Sequence, residues 1–185
     1  WNSAMLRALF HQSIDSRARI SFGHVFADAL GKPSTLPLKL ELGCGAGEWA
    51  LAQATGDVGR ANWAALELRH DRAFVTWSRA VLATPCALPN LAVLRGDALP
   101  IVRDHLQPGS VAAVFVNHPE PPERRSGEGE SDGAHMLTSP FLRELHRALR
   151  PAAARSDDPS LVIVTDNLKY GRSLLQSIAG LAPLF

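Results

Sequence analysis

Apolar residues along this chain gather into short runs separated by polar, glycine-bearing segments. Leu38 to Leu42 is such a run with Glu41 as its interior acid, and Asn62 to Leu68 is a second that carries Glu67 near its end. Leu91 to Leu94, Val111 to Val116 and Leu161 to Val164 supply three more. Brief, nearly continuous apolar runs bounded by turn formers predict strands buried on both faces, the habit of parallel sheets. Between them the spacing becomes helical. An apolar helical pattern begins at Trp49, and Asp71 to Leu82 places Phe74, Trp77, Val81 and Leu82 along one face with Arg72 and Arg79 outside it. Ser139-Pro140 opens a helix with an N-cap and a first-turn proline, with Phe141, Leu142, Leu145 and Leu149 as its buried stripe. Leu168 to Ala179 predicts a further helix. The alternation gives an α/β fold, a mainly parallel sheet flanked by helices. Trp1 to Ala29 is helical or irregular and Gly31 and Pro33 mark a loop. The expected division is therefore an N-terminal segment over 1–37 and the α/β domain over 38–185. Arg124 to Gly133 and Ala152 to Pro159 read as polar, mobile inserts.

Composition narrows the class. A chain of 185 residues with 46% hydrophobic content is long enough for one full core. Charged residues make up 20% and the formal net charge is +1, so any affinity for nucleic acid has to come from local patches. Of the two cysteines, Cys44 and Cys86, one sits in a glycine-rich turn, which argues against a disulfide framework and for a reducing compartment, cytoplasmic or nuclear. No apolar run approaches a transmembrane span, no charged-then-apolar leader is visible, and no metal-ligand spacing stands out. The first residue is Trp1 rather than Met, as expected of a sequence whose ends have been trimmed.

The candidate chemistry begins at Leu40-Glu-Leu-Gly-Cys-Gly-Ala-Gly-Glu-Trp49. Gly43, Gly45 and Gly47 follow the first strand at spacing two, where the backbone has to take unusual dihedrals and approach a ligand. A dinucleotide-binding turn would place its third glycine where Glu48 stands, and a carboxylate there would repel a pyrophosphate. S-adenosylmethionine carries no phosphate, and its amino group and sulfonium are cationic, so Glu41 beside it is favourable. Glu67 closes the second strand, where an acid accepts hydrogen bonds from ribose hydroxyls. Asp97, in Arg95-Gly-Asp-Ala98, follows the third strand, placed to meet an adenine amino group together with Ala98. An aspartate after glycine is also an ordinary turn residue, and Glu67 could instead pair with Arg69 or Arg72. The ordered set of three acids is more specific than any one of them.

Val114-Phe-Val-Asn-His-Pro-Glu-Pro-Pro122 follows the fourth strand, and its prolines stiffen a loop at the carboxyl end of the sheet. Asn117 and Glu120 would face the transferable methyl there. With this loop the chain resembles the tRNA (guanine-N7)-methyltransferases, whose loop reads approximately Asn-Phe-Pro-Asp-Pro-Trp-Pro-Lys. The resemblance runs through Leu40 to Glu48, Ala65 to Arg72, Arg95 to Ala98, Ser139 to Leu142 and Val164-Thr-Asp-Asn167, with Tyr170 downstream. It implies a Rossmann-like class I methyltransferase fold, S-adenosylmethionine as cofactor and tRNA as substrate. It places the family's cofactor acids on Glu41, Glu67 and Asp97, its loop carboxylate on Glu120, and its Thr-Asp pair on Thr165 and Asp166. Some members of the family work with a separate protein subunit. Members also continue into a closing antiparallel strand pair beyond the position of Phe185, so this sheet is expected to lack it.

Two departures bear on function. The loop carboxylate is a glutamate, and the neighbouring aromatics become His118 and Pro122. Where the family has a basic run, Glu120 to His135 holds five acids against two arginines. Phosphates would therefore be met elsewhere, with Arg17, Arg19, Arg69 and Arg72 as candidates and Arg69 and Arg72 nearest the cofactor turn. The expected reaction is in-line methyl transfer to N7 of guanine, whose lone pair needs no base. Catalysis is then positioning and electrostatics, with Glu120 and Asn117 as the catalytic candidates and Thr165 and Asp166 completing the pocket. The alternatives are a methyltransferase acting on another RNA or a small molecule, and a non-catalytic partner subunit with the same fold.

Overall fold

The computed structural model describes residues 11–83, 87–122, 135–151 and 160–181. Five strands form one sheet: β1 (Leu38–Leu42), β2 (Asn62–Glu67), β3 (Leu91–Arg95), β4 (Val111–Asn117) and β5 (Leu161–Val164). All neighbours pair in parallel, in the order β3-β2-β1-β4-β5. Parallel strands need crossover connections, and helices supply three of them, α1 (Glu48–Gly56), α2 (His70–Val81) and α3 (Ser139–Ala148), while α4 (Leu168–Ala179) follows the last strand. Between β3 and β4 a short turn, Ala98–Pro100, runs on into a wider π turn, Ile101–His105. The chain winds outward from β1 through β2 to β3, then returns to β4 on the other side of β1. That reversal leaves a crevice outside the carboxyl ends of β1 and β4, where ligands bind in open α/β sheets.

Burial explains why these runs became strands. Leu38, Leu40 and Leu42 of β1, Val111, Val114 and Val116 of β4, and every residue of β2 are buried. Phe141, Leu142 and Leu145 of α3 pack into the same core with Val102 and Leu106. Fully burying one such side chain contributes roughly 1.5–3 kcal/mol. The described part of the N-terminal segment holds a short helix, Phe22–Val25, and isolated bridges from Ile20 to Ile14 and Leu106, and Phe22 joins the main core.

Two sequence expectations need correction. In α2 the face that packs inward is the small one, Ala73, Thr76 and Ala80, whereas Phe74, Trp77, Val81 and Leu82 are largely exposed. Close approach to the glycine turn leaves no room for large side chains on the inner face. At α3 the cap is Thr138, whose hydroxyl accepts from Phe141 N–H, so Ser139 is the first helical residue and Pro140 lies in the first turn. The acidic stretch after Pro122 and the insert around 152–159 lie outside the described residues.

Candidate active site

Gly43, Gly45 and Gly47 take φ values of +71°, +58° and +82°, in the left-handed region that favours glycine. The turn closes onto the neighbouring strand, because Gly43 and Cys44 N–H both donate to the Leu66 carbonyl at 2.8 and 3.1 Å. A Cβ added at Gly43 or Gly45 would meet nothing within 4 Å, so their backbone lies bare beneath open space. Gly47 differs: a Cβ there would run into the Thr76 side chain. Thr76 is fully buried and its hydroxyl sits 3.1 Å from both the Gly45 and the Arg72 carbonyls, tying α2 to the turn. Sequence reading missed Thr76, since a lone threonine in a helix carries no signal. Cys44 is buried against it, and burial pushes its thiol up to about 12, far from a reactive thiolate.

Glu41 lies on β1 just under this turn and is 2% exposed. Its Oε1 accepts from Asn117 Nδ2 at 3.0 Å, which joins β1 to β4 across the crevice, and its Oε2 has no protein partner. Burial raises its carboxyl above the ordinary carboxylate range, offset in part by the Asn117 amide. A buried acceptor with a free oxygen at the switch in strand order is fitted to a cationic or hydrogen-bond-donating ligand. Glu67 closes β2 with Oε2 accepting from Gly45 N–H and Oε1 from Arg69 N–H, each at 2.9 Å. Each oxygen keeps a second lone pair for a ligand hydroxyl. The Arg69 guanidinium turns to Asp71 at 2.8 Å, so the competing Glu67–Arg69 ion pair does not form. Asp97 is exposed and its Oδ1 accepts from Leu99 N–H at 3.0 Å, the turn role its position allowed, with Ala98 half-buried behind it.

Asn117 at the end of β4 is half-buried, while His118 and Glu120 beyond it are exposed. His118 takes φ +49°, unusual for a residue with a side chain, and its N–H donates to the Val164 carbonyl at 2.7 Å. Its Nδ1 lies 3.9 Å from Asp166 Oδ1. Thr165 Oγ1 accepts from Asn167 N–H at 3.2 Å, fixing the start of α4. Arg72 is exposed on the first turn of α2. Glu41, Glu67, Asp97, Asn117, Glu120, Thr165, Asp166, Arg69 and Arg72 thus all stand at or next to the carboxyl ends of the strands. A separate cleft of about 220 Å³, lined by Ser34, Asn62, Ser110 and Arg150 among others, opens at the other end of the sheet. No group of three or more metal-ligating side chains occurs among the described residues. No described helix is long and apolar enough to cross a membrane.

Residues 35–182, which include every element of this crevice, match a protein-family model described as "Putative methyltransferase". The chain belongs to this methyltransferase family. Among curated proteins it is 31% identical over 143 residues to a tRNA (guanine-N(7)-)-methyltransferase of Chlamydia felis, covering 77% of this chain and 56% of that one. It is 28% identical over 178 residues to the enzyme of the same name from Rubrobacter xylanophilus, covering 93% and 67%. The chain spans little more than half the length of the chlamydial relatives it matches. A S-adenosylmethionine-dependent O-methyltransferase of Thermotoga maritima aligns with a TM-score of 0.55 at 14% identity over 78% of this chain and 43% of the other. An aminoglycoside resistance methyltransferase aligns at 0.51 and 19% identity, covering 78% and 66%. At these identities the two structures establish the fold, a Rossmann-like class I methyltransferase sheet.

Proposed function

We propose that this methyltransferase carries the methyl group of S-adenosylmethionine to N7 of a guanine in tRNA. The observation that supports a cofactor site most directly is Glu41, buried with one unpartnered oxygen beneath a bare glycine turn. In this reading Glu41 and the Gly43 to Gly47 backbone hold the methionine end, Glu67 accepts the ribose hydroxyls, and Asp97 and Ala98 flank the adenine. When bound, the cofactor supplies an electrophilic methyl on a sulfonium. The protein's part is to seat guanine N7 in line with it and to exclude water. Positive charge develops on the purine as N7 becomes alkylated, and Glu120 and Asp166 place negative charge at that rim. Asn117, fixed through Glu41, links the cofactor side of the crevice to the substrate side.

The RNA part of the reading draws on the names of the relatives and on a group of cations at the carboxyl edge. Lys39, Arg60, Arg69, Arg79, Arg103 and Arg147 are all engaged in ion pairs. Arg72, Arg95, Lys169 and Arg172 are exposed, and none has an ion pair among the described residues. Arg95 ends β3, Arg72 and Lys169 lie in the first turns of α2 and α4, and Arg172 follows one turn later on α4, which suits phosphates flanking a base in the crevice.

The decisive experiment is calorimetric binding of S-adenosylmethionine and S-adenosylhomocysteine, followed by methyl transfer to unmodified tRNA. Wild-type binding in the micromolar range, lost or weakened at least tenfold in Glu67→Ala, is expected, because one charge-assisted contact contributes about 1.5–3 kcal/mol. A folded protein that binds neither compound would instead favour the partner-subunit reading.

A further inference from the structure

The strand β3 and the helix α2 that covers it are open on the same side of the molecule. β3 is the outermost strand of the sheet and pairs with β2 alone. The Asn90 carbonyl accepts from Trp63 N–H, and Gly96 N–H donates to the Glu67 carbonyl, so the even-numbered positions address β2. By alternation Leu91, Val93 and Arg95 turn their N–H and C=O groups outward, where no described strand meets them. Exposed strand edges are normally guarded by an internal charge, a proline or a bulge. Leu91 to Leu94 has none of these, and its register against β2 is unbroken.

Above this edge α2 carries His70, Phe74, Trp77 and Val81, spaced four, three and four residues apart and all exposed. That spacing makes one stripe along a helix. Ala73, Thr76 and Ala80 face inward, and Arg79 on the far flank reaches Glu48 and the Ala46 carbonyl at the start of α1. The stripe therefore looks away from α1 and out past β3. Its two aromatic rings lie 5.8 Å apart, and Phe74 and Trp77 are 57% and 51% exposed. No lysine, arginine or carboxylate lies on the stripe, which suits an apolar partner rather than a polyanion.

Edge and stripe fit one symmetry operation. A two-fold axis beside the middle of β3 sets Val93 against Val93 of a second copy, so that each N–H meets the other's carbonyl, and sets Leu91 of one copy against Arg95 of the other. The same axis brings the helices together. α2 packs over both β2 and β3. With strands about 4.8 Å apart, a helix straddling those two has its axis about 5 Å from the two-fold, and its copy lies about 10 Å away, the upper end of the distance at which helices pack. Large side chains such as Phe74 and Trp77 suit that upper end. We infer that this chain pairs with a second copy of itself across β3 and α2, joining the two sheets edge to edge.

Taking free aromatic side chains at about 150–250 Å² each, the stripe offers roughly 300 Å² of apolar surface, against roughly 800 Å² per partner in a standard interface. The strand edge and a polar rim supply the remainder, so the pair is reversible and dissociates in the micromolar range. A net charge of +1 opposes it little. The crevice at β1 and β4 stays open, because β1 lies two strands inward from β3.

Sedimentation velocity of the full chain, from below micromolar to several hundred micromolar, tests this. Wild type is expected to pass from monomer to dimer. Phe74→Glu puts a charge into the stripe, and Val93→Pro removes the central donor of the edge at a position where proline is tolerated, since its N–H faces away from β2. Each is expected to weaken pairing about tenfold or more. Leu175→Glu, on an exposed apolar position of α4, is expected to leave pairing unchanged. Thermal melting of dilute samples controls for folding and is expected to be unaltered in Phe74→Glu. A wild type that stays monomeric throughout overturns the inference, as does a dimer that Phe74→Glu and Val93→Pro both leave intact. A monomer whose affinity for tRNA falls in Phe74→Glu overturns it in favour of a base-stacking surface. Sedimentation does not depend on methyl transfer, so the guanine-N7 reading stands or falls separately.

Discussion

Glu41 shows what the candidate site costs the fold. Its carboxyl is taken out of water, receives one amide hydrogen bond and leaves one oxygen unsatisfied. Burial raises the folded-state pKa above the ordinary value of 4.5. The sign follows from linkage. Between the ordinary value and the raised one, the folded protein holds a proton that the unfolded chain has released, so stability falls as pH rises through that window. Above it the ionised Glu41 remains a net cost. Glu41→Gln keeps an acceptor for Asn117 and removes the buried charge. We therefore expect it to stabilise the ligand-free protein at neutral pH by about 1 kcal/mol, with less gain in acid, and to weaken S-adenosylmethionine binding at least tenfold. Urea melts at neutral and acidic pH, paired with calorimetry, check both halves. A variant that is less stable and binds normally would remove Glu41 from the site.

At the scale of elements, α2 separates what periodicity can reveal from what it cannot. The sequence places large apolar residues along one face of this helix, and burial normally follows size. Here the helix is drawn close to the cofactor turn by the Thr76 hydroxyl, and the inner face is limited to Ala73, Thr76 and Ala80. Ala73→Leu is expected to cost about 1–3 kcal/mol by overpacking. Trp77→Gln, on a half-exposed position, is expected to stay within about 0.5 kcal/mol. Denaturant midpoints at constant slope distinguish the two, and the reverse ranking would mean that the apolar face is the packed one. The strands were legible in the sequence because all five are short apolar runs: β1, β5 and α4 begin and end where the pattern places them, and β2 ends one residue sooner, at Glu67. The carboxyl-edge acids were legible for a related reason: each stands close to the end of such a run, just before or just beyond it, and parallel topology brings those ends together. Thr76 and the left-handed His118 were not, because the first acts through a contact 31 residues distant and the second through a backbone angle that histidine does not announce.

For the molecule as a whole, a formal charge of +1 means that long-range attraction cannot gather RNA, so affinity depends on where the cations stand. Lys39, Arg60, Arg79, Arg103 and Arg147 are neutralised by neighbouring acids, whereas Arg72, Arg95, Lys169 and Arg172 at the carboxyl edge have no ion pair among the described residues. Opposing them is the stretch from Glu120 to His135, whose five acids outnumber its two arginines and so disfavour phosphate. Two opposed terms predict a shallow salt dependence with a definite composition. Converting any one of the four cations to glutamine should lower the slope of log affinity against log salt by about 0.7 to 0.9, while cofactor binding stays unchanged. Converting the acids of the Glu123 to Asp132 stretch to their amides should tighten tRNA binding at low salt and leave transfer to a saturating substrate unaltered. Filter binding across a salt series measures both. If the four cation variants keep the wild-type slope and transfer is insensitive to salt, the carboxyl edge is not gripping a polyanion. The substrate would then be a small molecule seated in the same crevice.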